Sequence, residues 1–354
     1  MSPEHYDVVV IGGGQAGLAV GHHLAQQERR FTILDAAPAP AAAWRMRWDS
    51  LRLFTPARYD SLPGLAFPGD PDHYPTRDEV VSYLTDYARH FALPVELDRR
   101  VTAVHTEDAG YRVELTDRAL HAGQVVIATG PFQVPRVPAL ASQLTSEVVQ
   151  LHSAAYQTPA DLPAGRVLVV GGGNTGFQIA EELAGSRDVH LAIGSRQTPL
   201  PQRILGRDLF GFLTATRLMN VTVSSRIGQR MKDREALIGS SPRAARTSGI
   251  KIHPRATQAT GSTVAFADGS RLDVDAVLWA TGFDRDHEWI HAPVFDHRGG
   301  LIHQRGVTPS PGLYFVGMPW QHTRGSALLG WVKHDAQHVV EHINARTPHR
   351  RVLA

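Results

Sequence analysis

The chain has no cysteine among its 354 residues. That excludes every mechanism that relays electrons through a C-x-x-C disulfide, including the chemistry of glutathione, thioredoxin and lipoamide reductases. A cysteine-free chain also fits a reducing cytoplasm, the location expected here. No apolar run approaches the roughly twenty residues that a membrane helix needs, so no membrane partner is expected. The N-terminus runs into an apolar strand within a few residues, which leaves no room for a signal peptide. Net charge is low too, at +2, and argues against nucleic acid as a partner. Basic residues do cluster between Arg196 and Arg255, with Arg203, Arg207, Arg217, Arg226, Arg230, Arg234, Arg243 and Arg246 against few acids. They read as a positive approach for an anionic cofactor, or as a solvated face.

Against these absences stands one conspicuous stretch, Asp7-Val-Val-Val-Ile11-Gly12-Gly-Gly14-Gln15-Ala16-Gly17, which continues as Leu18-Ala19-Val20. An apolar run that breaks into glycines and resumes helically is a buried parallel strand, a tight turn and a helix N-terminus. In such a unit Gly12 permits the turn, Gly14 lets the backbone approach a pyrophosphate, and Gly17 lets helix and strand pack closely. The next strand, Phe31 to Leu34, is followed by Asp35, placed to bond a ribose 2′-hydroxyl.

The unit occurs twice. Arg166-Val-Leu-Val-Val170-Gly171-Gly-Gly173-Asn174-Thr175-Gly176 repeats strand, turn and helix start, and Ile179, Ala180, Leu183 and Ala184 supply an apolar helical face. After its second strand, Val189 to Ile193, Gly194 stands where the acid is expected, followed by Ser195 and Arg196. A carboxylate would repel a 2′-phosphate, whereas a hydroxyl and a guanidinium would bind one. The first unit is therefore expected to hold FAD and the second NADPH.

The length suits two domains. Residues 36–75 form a long loop rich in proline and aromatics, of the kind that is usually functional. A helix is expected from Thr76, capped by Thr76 and Glu79, with Val80, Leu84, Tyr87 and Phe91 on its apolar stripe. Residues 101–105 and 111–115 read as a meander, and Gln124 to Ala128 as a strand that exits through Thr129-Gly130. A matching exit, Ala280-Thr281-Gly282-Phe283, closes the second unit after a hairpin over 264–273. Gly312 to Gly317 is a returning buried strand, and a last helix is expected from about Gly325-Ser326-Ala327-Leu328 to Ile343. Only weak helical periodicity marks 200–250. The expected fold is α/β, with two dinucleotide-binding, Rossmann-like domains. The NADP domain (161–284) is inserted into a discontinuous FAD domain (1–160 and 285–354).

The order Gly12 to Gly17, Trp44-Arg45, Ala128-Thr129-Gly130 with Pro135 and Pro138, Gly171 to Gly176, Ala280 to Phe283 and Gly312 to Gly317 resembles the flavin-containing monooxygenase superfamily over nearly the whole chain. Within it the chain is similar to the short branch of CzcO-like and indole-pyruvate monooxygenase-type proteins. The family's linker signature F-x-G-x-x-x-H-x-x-x-Y survives only at His152 and Tyr156, with Ser146 and Val148 at the phenylalanine and glycine positions. The active-site asparagine of several relatives has no counterpart in Leu53-Phe54-Thr55-Pro56.

This resemblance implies an NADPH-dependent monooxygenase that carries one oxygen of O2 to a small molecule as a C4a-hydroperoxyflavin. It implies FAD contacts at Gly12, Gly14, Gln15, Ala16, Gly17, Asp35, Ala36, Trp44, Arg45, Val101, Thr129, Gly130, Gly317, Ala327 and Leu328. NADPH contacts are implied at Gly171, Gly173, Asn174, Thr175, Gly176, Ser195, Arg196, Thr281 and Gly282. The N-terminus of the last helix is a candidate to stabilise negative charge on the flavin. His322 and Thr55 are candidate catalytic groups. A reductase or NADPH oxidase without oxygen insertion, or a flavin-binding accessory protein, are the alternatives. His334, His338 and His342 recur four apart, a spacing that can chelate a metal, but a polar helix face is the simpler reading and no metal is expected.

Overall fold

The computed structural model describes residues 4–346 apart from 28, 205 and 235. Along the chain come β1 (Glu4–Ile11), α1 (Gln15–Ala25), β2 (Phe31–Leu34), α2 (Ala42–Arg45), α3 (Arg77–His90), β3 (Val95–Glu96), β4 (Val101–Glu107), β5 (Gly110–Leu115) and β6 (Ala119–Ile127). They are followed by β7 (Val149–His152), β8 (Arg166–Val170), α4 (Asn174–Leu183), β9 (Asp188–Ala192), β10 (Thr198–Leu200), α5 (Leu209–Ala215) and α6 (Arg226–Asp233). The chain ends through β11 (Ala236–Ile238), α7 (Pro242–Thr247), β12 (Lys251–His253), β13 (Ala276–Trp279), β14 (Ile290–His291), β15 (Leu313–Phe315) and α8 (Val332–Arg346).

Two sheets organise these elements. The first runs β14-β4-β5-β6-β1-β2-β3, with β15 also pairing β6, and the second runs β12-β9-β8-β13-β7. All pairings of the second sheet are parallel. Strands covered on both faces must be apolar throughout, which is why Val8, Val9 and Val10 of β1 and Val167, Leu168 and Val169 of β8 have no exposure. On one face of the first sheet Leu18, Val20 and Leu24 of α1 pack with Val332, Ala336, Val339 and Ile343 of α8. Val9, Ile11 and Leu34 share a second cluster with Val104, Val113 and Leu115 of β4 and β5. In the second sheet Phe177, Ile179, Ala180 and Leu183 of α4 cover one face, and a meander over 256–273 covers the other.

The α3 start is as expected: Thr76 caps the helix and forms the reciprocal box with Glu79. Two boundaries differ from the sequence reading. Val149–His152 lies before residue 161 yet pairs in parallel with Ala276–Trp279, so it belongs to the second sheet. It is the edge strand of that sheet, running from exposed Val149 to buried His152, and hydropathy alone does not assign it to either unit. The last helix begins at Val332, not near Gly325, because Arg324–Ala327 closes as a 3₁₀ turn under the capping box of Thr323 and Ser326.

Two linkers join the sheets, and they pair with each other. Val134–Pro135 runs antiparallel to Phe283–Asp284. Arg47 seals this ribbon from the first unit, its guanidinium 4.2 Å from the Phe132 ring centroid and 5.4 Å from that of Phe283.

Candidate cofactor sites and the cleft between them

Both glycine turns have the same geometry. Gly12 has φ +109°, and a Cβ there would fall 2.5 Å from the Ala128 carbonyl oxygen. Gly171, at φ +138°, would meet Ala280 in the same way at 2.1 Å. The third glycines are closed as well: a Cβ on Gly17 would lie 1.9 Å from the Gly12 oxygen, and one on Gly176 2.0 Å from the Gly171 oxygen. Gly14 and Gly173 differ. Each caps its helix, and a Cβ on either would meet nothing within 4 Å. That open space in front of free helical N–H groups is a cradle for a pyrophosphate.

At the first turn, Asp35 accepts from the Gly13 N–H at 2.7 Å and the Ala37 N–H at 2.9 Å, which fixes its carboxylate beside the cradle. Arg99 N–H reaches the Asp35 carbonyl at 2.8 Å and brings the start of β4, with Val101, to the same end. Gly317 packs so closely that a Cβ would lie 2.7 Å from the Ala16 Cβ. Gln15 ties two distant segments together, donating to the Ala327 carbonyl at 2.9 Å and accepting from the Trp44 indole at 3.1 Å. Arg45 is exposed, and its guanidinium turns back to the Pro40 carbonyl at 2.9 Å. These residues of the first set converge.

The acid position of the second turn needs correction by one residue. Gly12 N–H bonds the Leu34 carbonyl at 2.7 Å, and Gly171 N–H bonds the Ala192 carbonyl at 3.0 Å, so the counterpart of Asp35 is Ile193 rather than Gly194. Gly194 is small for another reason: Arg255 lies over it, with Nη2 donating to its carbonyl at 2.7 Å. Ser195 and Arg196 follow, exposed. A 2′-phosphate at this loop would meet two guanidinium groups. In the sequence Arg255 stands only as the end of the basic cluster; its place over Gly194 comes from the neighbouring strand's end, and no motif marks it.

The exits differ in their partners. Thr129 Oγ1 and the Gly130 carbonyl both accept from the Gln133 amide, at 2.8 and 2.9 Å. The Thr281 carbonyl is held by the Arg136 guanidinium, and Gly282 by His152 Nε2 at 3.0 Å. Tyr156, fully buried, donates to Glu182 at 2.8 Å. His152 and Tyr156 thus brace the linker and α4.

Between the two turns an aromatic wall forms. Phe54 stacks on Phe210 with centroids 5.8 Å apart, Phe210 lies 5.6 Å from Trp331, and Trp331 stacks on Tyr59 at 5.5 Å. Beneath it Thr55 donates to Asp60 Oδ1 at 2.7 Å, while Asp60 Oδ2 has no partner among the described residues and the residue has no exposure. Burial pushes the Asp60 carboxyl up to about 8. His322 sits where segment 322–323 joins the 200–250 insertion, its carbonyl accepting from Val223 N–H at 2.7 Å. Burial lowers its imidazole below the ordinary value. Because Arg324–Ala327 is a 3₁₀ turn and the α-helix starts only at Val332, the dipole of a long helix is not aimed from Gly325 to Leu328. Among the described residues no three histidine or acidic side chains come together as a metal site. His338 and His342 pack ring to ring, and His342 Nδ1 is engaged by the His338 carbonyl at 2.9 Å.

The family profile described as pyridine nucleotide-disulphide oxidoreductase matches residues 9–204. A CzcO-like oxidoreductase of Geobacillus kaustophilus is 45% identical over 95% of this chain and 98% of its own length. A flavin-containing monooxygenase structure from Stenotrophomonas maltophilia superposes with TM-score 0.81 at 30% identity, covering 97% of this chain and 99% of that one. The chain belongs to the flavin-containing monooxygenase superfamily. As a member it is a flavin-dependent oxidoreductase with FAD and NADPH as its cofactors. An indole-3-pyruvate monooxygenase of Oryza sativa is more distant, 28% identical over 78% of this chain and 75% of its own. No described helix is long and apolar enough to cross a membrane.

Proposed function

We propose that this protein is an NADPH-dependent monooxygenase that transfers one oxygen atom of O2 to a small organic molecule in the cytoplasm. The observation that carries the reading is the pair of open glycine cradles, of which only the first has a fixed carboxylate, in a chain without cysteine. FAD is assigned to the first cradle and NADPH to the second. The second domain is inserted into the first. With Leu144, Val148 and β7 all packed in the second unit, we put its start at about residue 139 rather than 161, and its end at the 283–284 linker.

Each cradle's work follows from its residues. The α1 N-terminus and the open face of Gly14 would hold the FAD pyrophosphate, and Asp35 the adenosine ribose. Asn174 to Gly176 would hold the second pyrophosphate, with Ser195, Arg196 and Arg255 at the 2′-phosphate. Trp44, Gln15 and the Ala327 turn form one hydrogen-bonded chain that positions the flavin side of the cleft. The wall of Phe54, Phe210, Trp331 and Tyr59 keeps water out, as oxygen transfer requires. The bound flavin supplies hydride acceptance and oxygen activation.

Rapid mixing of NADPH-reduced protein with O2 tests the assignment. A transient absorbance that NADP⁺ lengthens before oxidised flavin appears is the expected result. Monophasic reoxidation with stoichiometric hydrogen peroxide, indifferent to NADP⁺, establishes an oxidase instead. That alternative draws on the shortened linker signature, of which only His152 and Tyr156 remain, bonded to Gly282 and Glu182.

A further inference from the structure

We propose that the cleft between α6 and the Arg324 turn is the substrate site, and that it takes an organic carboxylate with an apolar body. The inference rests on the monooxygenase reading and names its substrate class.

The cleft encloses about 320 Å³. Four of its lining residues, Ile227, Arg230, Met231 and Arg234, come from α6 and its C-terminal cap. Their spacing is i, i+3, i+4 and i+7, a single helical face. A face that merely packed would be apolar, and one that merely met water would be polar. This face alternates the two, with Leu200 and Ala236 adding apolar surface from the opposite strands.

Among the described lining residues the charge is one-signed. No acid is among the described lining residues, and neither Arg230 nor Arg234 makes an ion pair with a described residue. Two guanidinium groups four apart on a helix repel each other, and an anion between them relieves that repulsion. The 58% exposure of Ile227 leaves an apolar contact open beside them.

Position ties the cleft to the chemistry. β11, which carries Ala236, is held by Asn174 at the second glycine turn, through Nδ2 to the Ala236 carbonyl at 3.2 Å and Ile238 N–H to Oδ1 at 2.8 Å. The opposite side is the turn of Arg324, whose Ala327 carbonyl is bonded to Gln15 at the first. A substrate seated there lies between the two cofactor cradles. A nucleotide phosphate suits the cleft less well. The 2′-phosphate has Arg196 and Arg255 at the Gly194 loop, and half of this lining is hydrocarbon.

The test uses the oxidised FAD-bound protein. It is titrated with phenylacetate, 3-phenylpropanoate and octanoate and with their primary amides, and binding is read from flavin absorbance and tryptophan fluorescence. At least one acid should bind, more weakly at high salt, and its amide at least about ten-fold more weakly, as expected for one charge-assisted contact. Arg230→Gln and Arg234→Gln should each weaken the acid by about ten-fold, with FAD content, melting temperature and NADP⁺ affinity unchanged. Equal binding of acid and amide overturns the proposal, as does failure of all three acids. Loss of NADP⁺ affinity in step with the acid also overturns it, by giving the cleft to the nucleotide. None of these readouts needs oxygen transfer, so an oxidase result in the mixing experiment does not alter them.

Discussion

Thr55 Oγ1 donates to Asp60 Oδ1 across 2.7 Å, and Oδ2 of the same carboxyl has no partner among the described residues. The pair is sealed under the turn before α8, where a Cβ on Gly330 would come within 3.0 Å of the Asp60 Cα. A carboxylate there has one donor among the described residues. Burial therefore keeps it protonated, with its pKa up at about 8 from an ordinary 3.8.

The sign of the resulting pH dependence is set by which state keeps the proton. Between pH 3.8 and about 8 the folded protein binds a proton on Asp60 that the unfolded chain releases. Stability from this group is thus complete at low pH and is lost as pH rises toward 8. Asp60→Asn keeps the shape without the titration. The difference in melting temperature between wild type and Asp60→Asn should shift in favour of the variant as pH rises from 5 to 8, read by thermal unfolding. A constant difference would show that the carboxyl is ionised in the fold.

His190 and His253 give the opposite slope. His190 Nδ1 lies 2.8 Å from His253 Nε2, so one ring must donate and the other accept, and both cannot be protonated. Burial, first, lowers both below 6.5. The unfolded chain then binds protons that the fold refuses, and stability falls as pH drops below 6.5. His253→Gln should reduce the acid sensitivity of the melting temperature between pH 6.5 and 5.

Glycines of one turn should fail in different ways. Gly14→Val places its side chain in open space at an ordinary φ, so the protein should fold and yet purify without FAD, seen as loss of the yellow absorbance. Gly17→Ala drives a methyl to 1.9 Å from the Gly12 oxygen and should cost stability itself, about 1–3 kcal/mol or more by overpacking, in thermal unfolding.

Arg255→Gln and Arg196→Ala should each raise KM for NADPH by about ten-fold or more while changing NADH little, since each removes one charge-assisted contact. Steady-state kinetics with both nucleotides decides it. If only Arg196 matters, Arg255 serves the Gly194 carbonyl alone.

Much of this molecule is legible in one dimension. The two strand-turn-helix units, the capping box at Thr76, the β4–β5 meander and the Thr-Gly exits all depend on contacts within a few residues, or on a period that burial imposes locally. Strand ends and partners do not. Whether Val149–His152 joins the first or the second sheet is decided by which edge is free, and the last helix starts at Val332 because a capped 3₁₀ turn interrupts the apolar pattern. The acid position moved from Gly194 to Ile193 because a strand's register is set by its neighbours' hydrogen bonds, and a one-residue slip exchanges its faces. Sequence therefore determined which turns are built to receive dinucleotides. Only the tertiary structure brought Arg255 over Gly194, buried Asp60 beneath Thr55 and set the α6 arginines across from Leu200, because those pairings join residues from separate elements and carry no shared period along the chain.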